Sequence, residues 1–240
     1  MPCSISAWHF ASILALQHGV LKKLVLLLVA VLGCQLLQAQ FSSISTDVSI
    51  LRSVTKGSRF FAFGQTVQSQ YHFTEKTTGY AWVSYYSAGH FKNSLTATGK
   101  DSIAVPQQLA FDVNSTLRYR QFSLGIRHYF KGTYNNETTW NLYSITGFGL
   151  LLLKATNSYN VTIDSARYNI PQQVLAGTKN LVRLTADLGL GVETILGSGV
   201  YLYGDVRTWI QASTFSSPYL YNNNVPRVVI VSGGIRILFD

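Results

Sequence analysis

The sequence predicts an all-β fold, an eight-stranded antiparallel up-and-down transmembrane β-barrel. The clearest sign is the segment 181–195, where apolar residues alternate with charged, polar or small ones over fifteen residues. That period belongs to a β-strand. The strand is longer than the ~5–6 residues usual in soluble sheets and reaches the ~9–11 needed to cross a bilayer. Charged residues make up only 12% of the chain and aromatic residues 13%, whereas soluble domains carry ~25% charged residues.

The first two predicted strands, residues 43–54 and 59–73, alternate clearly. In the first, Asp47 lies on the face opposite Val48 and Ile50. In the second, one face is large and apolar and the other is small or polar, as expected for a wall between lipid and a polar interior. The apolar set is Phe61, Phe63, Val67, Tyr71 and Phe73.

The next three predicted strands are residues 78–91, 109–130 and 140–155. The first of these is rich in Tyr and Trp, and the second is long enough to project beyond a bilayer. Its alternation slips near Arg120, which predicts a bulge or kink there. Gly147 lies within the third, where glycine permits curvature in a narrow barrel.

The last three predicted strands are residues 181–195, 200–212 and 227–239. Their connections complete a pattern of alternating length along the chain. The connections 74–77, 131–139 and 196–199 are short, whereas three others are long and rich in Asn, Ser, Thr and Pro. Short turns at one end and long loops at the other are typical of outer-membrane barrels. The long loops are predicted at 92–108, 156–180 and 213–226.

Residues 1–39 are predicted to be a signal peptide with an N-terminal extension, and residues 40–240 a single outer-membrane barrel domain. Lys22 and Lys23 precede a short apolar stretch, and Ala39 stands at a plausible cleavage position. This is the pattern of a secretory signal. Val20 as the true start of translation is left open, which would make Met1–Gly19 an untranslated extension.

Both cysteines, Cys3 and Cys34, lie in this leader. Cleavage after Ala39 therefore leaves a chain without disulfides, thiol nucleophiles or cysteine metal ligands. An alternative stays open, because Val31-Leu32-Gly33-Cys34 resembles a lipoprotein cleavage box in which Cys34 becomes the lipidated first residue.

Three segments carry a family resemblance: 124–130 (LGIRHYF), 147–150 (GFGL) and 233–239 (GGIRILF). With the strand pattern, they resemble the small outer-membrane β-barrel proteins of Gram-negative bacteria, the OmpX-like and porin-like group. The resemblance implies location in the bacterial outer membrane and contact with outer-membrane lipids. It also implies recognition by the barrel-assembly machinery through the C-terminal strand ending at Phe239, although Asp240 follows that aromatic residue. It does not define a function.

The strand phases send eight charged residues into the lumen. An eight-stranded barrel has an interior just wide enough for side chains, so these four basic and four acidic groups are expected to pair and fill it. The predicted lumen charge network is Asp47, Arg127, Arg183, Asp187, Glu193, Asp205, Arg207 and Arg236.

The predicted function is structural, or interaction with an unknown extracellular ligand through the long loops, without a cofactor. No basic run suggests a nucleic-acid partner. The alternative is a lipid-modifying enzyme with a site at the outer rim, which lumen-facing Ser and His within hydrogen-bond reach would favour. Three histidines follow the leader, and we expect His72 and His128 at the periplasmic rim and His90 at the outer rim.

Overall fold

A computed structural model describes residues 42–101, 104–137, 139–170, 174–212 and 215–239. The predicted leader, with Gln40 and Cys34, therefore lies outside the described residues. The chain forms ten strands and a 3-10 helix at Tyr221–Asn223. The strands are β1 (Ser42–Ser53), β2 (Phe61–Thr74), β3 (Thr77–Tyr86), β4 (Gly89–Gly99), β5 (Gln108–Lys131), β6 (Asn141–Tyr159), β7 (Tyr168–Asn169), β8 (Gly177–Gly197), β9 (Val200–Gln211) and β10 (Val228–Phe239).

Eight of the strands close into an antiparallel barrel in the order β3-β2-β1-β10-β9-β8-β6-β5, and β3 pairs with β5 to complete the ring. The seam joins the first strand to the last, from Ser42 opposite Phe239 to Ser53 opposite Val228. We call the end that holds Ser42, Phe239 and the short turns the turn end, and the opposite end the loop end.

The predicted bulge at Arg120 is wrong, because β5 keeps its alternation from Phe111 to Phe130. The irregularity lies in the neighbouring strand. Tyr85 pairs with Arg120 and Gly89 with Leu117, so residues 86–88 face only 118–119, which is a β-bulge. The side-chain pattern of β5 changes near Arg120 because its lumen face becomes apolar there while its outer face becomes basic.

Two of the predicted long loops are partly strand. β4 continues to Gly99, and its tip pairs with the two-residue β7. β6 runs to Tyr159 and β8 begins at Gly177. β5 has 24 residues, more than twice the ~9–11 that cross a bilayer, so the sheet extends well beyond the membrane at the loop end.

The outward face of the barrel is an apolar belt, and the alternating inward residues are buried. On β2, for example, Phe63 and Val67 are more than half exposed, whereas Thr66 and Gln68 are buried. Large exposed apolar side chains of this belt include Val48, Phe122, Leu124, Phe148, Leu190, Val206 and Val231.

Candidate functional site

The lumen holds all eight charged residues of the predicted network, each between 0 and 7% exposed. The alternation along each strand places them there, since every second side chain points inward. They form separate groups along the barrel axis, and no continuous chain of ion pairs joins them among the described residues.

The group nearest the turn end is centred on Glu193 of β8. Its carboxylate accepts hydrogen bonds from Arg236 at 2.9 and 3.2 Å and from Arg127 at 3.3 Å. The Tyr129 hydroxyl and the Asn141 amide each donate to it at 3.0 Å. One fully buried carboxylate thus balances two arginines from β5 and β10.

Aromatic rings cover both arginines. The Arg127 guanidinium carbon lies 4.0 Å from the centre of the Tyr143 ring, and that of Arg236 lies 4.0 Å from the Tyr201 ring. Such contacts attract a cation to the ring face. Gly191 makes room for Tyr143, because an added Cβ would come within 2.4 Å of its ring.

The turn between β5 and β6 closes the turn end of the lumen. Its Tyr134 is buried and stacks on His72, with ring centres 4.0 Å apart. The Tyr134 carbonyl accepts a hydrogen bond from Arg236 at 2.6 Å, and its backbone N–H donates to Glu75 at 3.1 Å. His72 therefore lies inside the barrel rather than at a solvated rim, which corrects the sequence-based expectation.

The middle group is centred on Arg207 of β9. Its guanidinium lies 2.7 Å from the Asp47 carboxylate and 2.9 Å from the Asp205 carboxylate. Ser232 accepts from Arg207 at 2.7 Å and donates to Asp205. The Arg207 guanidinium carbon also lies 5.0 Å from the Trp82 ring centre. This group is the inverse of the first, with one cation between two carboxylates.

Asp187 is held by neutral donors. Gln121 donates to it at 2.7 Å, Thr185 at 3.4 Å, and the Ser123 hydroxyl donates to its other oxygen. A cavity of about 10 Å³ lies between this group and Arg207, which is near the minimum needed for one water molecule. Packing at this level leaves no room for a column of water.

Arg183 faces the lumen, but its predicted pairing with a carboxylate is wrong. Its guanidinium donates to the Val182 carbonyl at 2.9 Å, and no described acidic residue forms an ion pair with it. The physical reason is spacing, since Asp187 lies four residues further along the same strand, about 13 Å at ~3.3 Å per residue.

The loop-end half of the lumen is apolar, which sequence reasoning missed. Loop residues Leu220 and Val225 fold over this plug and are buried with it. The available signal was residues 150–153, four consecutive leucines that make both faces of β6 apolar. The strand residues of the plug include Leu51, Leu117, Tyr119, Leu151, Leu153, Trp209 and Ile230.

A Ser–His contact exists at the turn end, where Ser43 Oγ lies 3.1 Å from His72 Nε2. Ser43 is fully buried, and His72 Nδ1 contacts the Thr78 hydroxyl at 2.8 Å instead of a carboxylate. A nucleophile needs access to its substrate and a base oriented to assist it. This pair is buried beneath Tyr134, so it gives the enzyme alternative no support. Ser87 with His90, and Ser123 with His128, form no hydrogen bond in the described structure; His90 contacts Thr116 instead.

In the part of the chain that the structure describes, no group of three or more His, Cys, Asp or Glu residues is arranged to hold a metal ion. None of the helices there is long and apolar enough to span a membrane.

Beyond the membrane, the loop end carries a second structured region, which we call the platform. It consists of β4, β7, residues 108–116 of β5 and residues 156–159 of β6. Its apolar core includes Ala97, Phe111, Val113, Tyr168 and Val174.

Polar contacts support the platform. Lys92 of β4 lies 2.8 Å from the Asp112 carboxylate of β5, and Ser94 donates to the same carboxylate at 2.6 Å. Hydrogen bonds from Lys92 and Ser94 lower the pKa of Asp112. The pair therefore remains charged in moderately acidic surroundings.

A closed antiparallel barrel with an apolar outer belt and polar, aromatic-covered groups inside is the architecture of bacterial outer-membrane proteins. The chain is a small outer-membrane β-barrel protein of the OmpX-like type, and its location is the bacterial outer membrane.

No protein-family model matches this chain, and no curated protein does. Among solved structures it is similar to Neisserial surface protein A, with 12% identity and a TM-score of 0.49, covering 82% of this chain and 97% of that one. It is similar to Ail, the attachment invasion locus protein of Yersinia pestis, with 12% identity, a TM-score of 0.45 and coverage of 82% and 97%. The outer membrane protein OprG from Pseudomonas aeruginosa gives 10%, 0.40, and 84% and 94%. Similarities of this size concern the fold alone.

Proposed function

We propose that this protein is a closed, non-conducting barrel that holds the platform outside the cell, where it interacts with an extracellular partner. The orientation follows the usual arrangement of such barrels, with short turns in the periplasm and long loops outside. The observation that carries the proposal is the platform itself, a sheet extension with its own apolar core.

The filled lumen argues against transport. Ion pairs occupy the turn-end half of the lumen and an apolar plug occupies the loop-end half. Water and small solutes need a continuous polar path, which neither half offers. The barrel is thus suited to anchoring and holding a surface structure.

The platform is suited to interaction because it is ordered before any partner arrives. Phe111 of β5 is 2% exposed, and its ring meets that of Tyr159 on β6 edge to face at 5.6 Å. Asn160 tightens the same corner, as its side chain accepts from the Asp112 backbone N–H at 2.8 Å. A preformed surface loses less conformational entropy on binding than a flexible loop does.

The test compares deletion strains that express the wild type, Phe111→Ser or the control Val161→Ser. Phe111→Ser breaks the platform core, whereas Val161 lies outside that core. Attachment of cells to fibronectin, mucin and glass is measured together with resistance to detergent. We expect the wild type and the control to restore attachment and Phe111→Ser to fail, while all three fold into heat-modifiable barrels. Equal attachment by all three strains would refute the proposal, and restoration of detergent resistance alone would assign a purely structural role.

A further inference from the structure

A basic cluster lies on the outer surface of the barrel, at the loop-end edge of the apolar belt. It consists of Arg118 and Arg120 of β5 and Lys154 of β6, all exposed. The next outward-facing residues toward the turn end are Phe122 and Leu152, which belong to the belt. The cluster therefore lies where the hydrocarbon layer meets the headgroups.

Two of these cations face each other directly. Arg118 and Lys154 are partners in the β5–β6 register, so their side chains leave the same face of the sheet. Like charges in this position destabilise a strand pair. None of the described acidic residues forms an ion pair with Arg118, Arg120 or Lys154. The arrangement lacks an anion that the protein itself does not supply.

A groove of about 430 Å³ lies between these side chains, and its wall changes character along the barrel axis. Asn180 of β8 is the register partner of Lys154 and adds an amide to the polar part. Leu152 and Val182, which are partners in the β6–β8 register, form the apolar part beneath it. The groove thus offers cations above and hydrocarbon below on one continuous surface.

We propose that this groove binds a phosphate-bearing membrane lipid, with the phosphate between Arg118 and Lys154 and an acyl chain along Leu152 and Val182. The planar guanidinium of arginine matches a phosphate through two parallel hydrogen bonds. Arg120 stands at the border, where its guanidinium carbon lies 5.5 Å from the Tyr85 ring centre. A free phosphate ion could use the cations but would gain nothing from the apolar wall. The assignment of this lipid to the outer leaflet rests on the orientation proposed above.

The test is native mass spectrometry of the folded barrel in detergent with lipid A, dephosphorylated lipid A, phosphatidylcholine or inorganic phosphate. The variants are Arg118→Gln/Lys154→Gln and the control Lys56→Gln/Arg59→Gln, which removes two exposed charges from the β1–β2 connection at the same end. We expect wild type and control to bind lipid A alike, and the cluster variant about tenfold more weakly, as for the loss of one charge-assisted contact. Arg118→Lys/Lys154→Arg, which keeps both charges, should retain most of the binding.

Equal binding of lipid A by wild type and cluster variant, or equal binding of the dephosphorylated lipid, would overturn the proposal. So would full displacement of lipid A by inorganic phosphate, because the site would then take a free anion. The assay uses detergent and does not depend on orientation or on the platform, so its outcome is independent of the attachment experiment. Heat-modified gel mobility confirms that each variant is folded.

Discussion

Arg207 of β9 reaches across β10 to Asp47 of β1, and their side chains meet at 2.7 Å inside the barrel. The contact bridges the seam between the last strand and the first. Gly234 lies directly opposite Asp47 on β10, and an added Cβ there would come within 2.8 Å of the Asp47 Cβ. The seam is therefore fastened by side chains as well as by backbone hydrogen bonds.

Arg207→Met should destabilise the barrel by about 3–5 kcal/mol, because it leaves two buried carboxylates without their cation. Unfolding of the purified barrel by urea in detergent measures the effect. An unchanged unfolding midpoint would mean that the two carboxylates are solvated or protonated in the folded state.

Arg183→Met is the matched control. It removes a lumen-facing arginine that has no described carboxylate partner, so the free energy of unfolding should stay within about 1 kcal/mol of the wild type or rise. A loss as large as that of Arg207→Met would show that Arg183 is compensated by a group that the static structure does not reveal.

Glu193→Gln should destabilise the turn end by about 3–5 kcal/mol, since Arg127 and Arg236 lose their shared counter-charge while the shape is kept. Glu75→Gln removes an exposed carboxylate from the adjacent turn and should have little effect. Thermal unfolding monitored by heat-dependent gel mobility compares the two variants. Similar losses in both would point to net charge at this end rather than to pairing.

The wild type should give no steady single-channel current in a planar bilayer. The cavity of about 10 Å³ beside Asp187 and the covering of His72 by Tyr134 leave no continuous path for ions. An open porin in the same bilayer serves as the positive control. Sustained open-channel steps from the purified barrel would refute a closed lumen.

Trypsin added to intact cells should cut after Arg167 and spare Lys76 and Lys131. The Arg167 side chain is 77% exposed beside β7 at the loop end, whereas the two lysines are exposed at the turn end. In lysed cells all three become accessible. Cleavage at Lys76 in intact cells would mean that the barrel is inserted the other way round.

Processing should leave Gln40 as the first residue of the mature protein. The cut would fall two residues before β1, which begins at Ser42, so the barrel would lose no strand. Amino-terminal sequencing decides the matter. A lipid-modified Cys34 at the mature terminus would establish the lipoprotein alternative instead.

The barrel strands were predictable because lipid on one side and a packed interior on the other impose a period of two. The predicted strand 227–239 and the observed β10, Val228–Phe239, differ by one residue. The platform was not predictable in this way. Residues 92–99 are polar on both faces, and their strand depends on β5, where Leu95 pairs with Phe111.

The same limit applies to the lumen. Alternation indicates that Arg207 and Arg183 point inward, but it does not indicate which partner each one meets. That depends on the stagger between strands distant in sequence, such as Asp47 and Arg207. The change from a charged to an apolar lumen was visible only as four leucines at 150–153, a signal also compatible with a strand buried on both faces.

The pairing of Ser42 with Phe239 joins the first described residue of the chain to the last. Until β10 has left the ribosome and crossed the inner membrane, β1 has no partner for that edge. Contacts between residues so far apart in sequence form slowly, and unpaired strand edges invite aggregation in the meantime. The chain must therefore travel to its membrane unfolded and protected, and removal of its last dozen residues would leave a nascent protein for degradation rather than a smaller barrel.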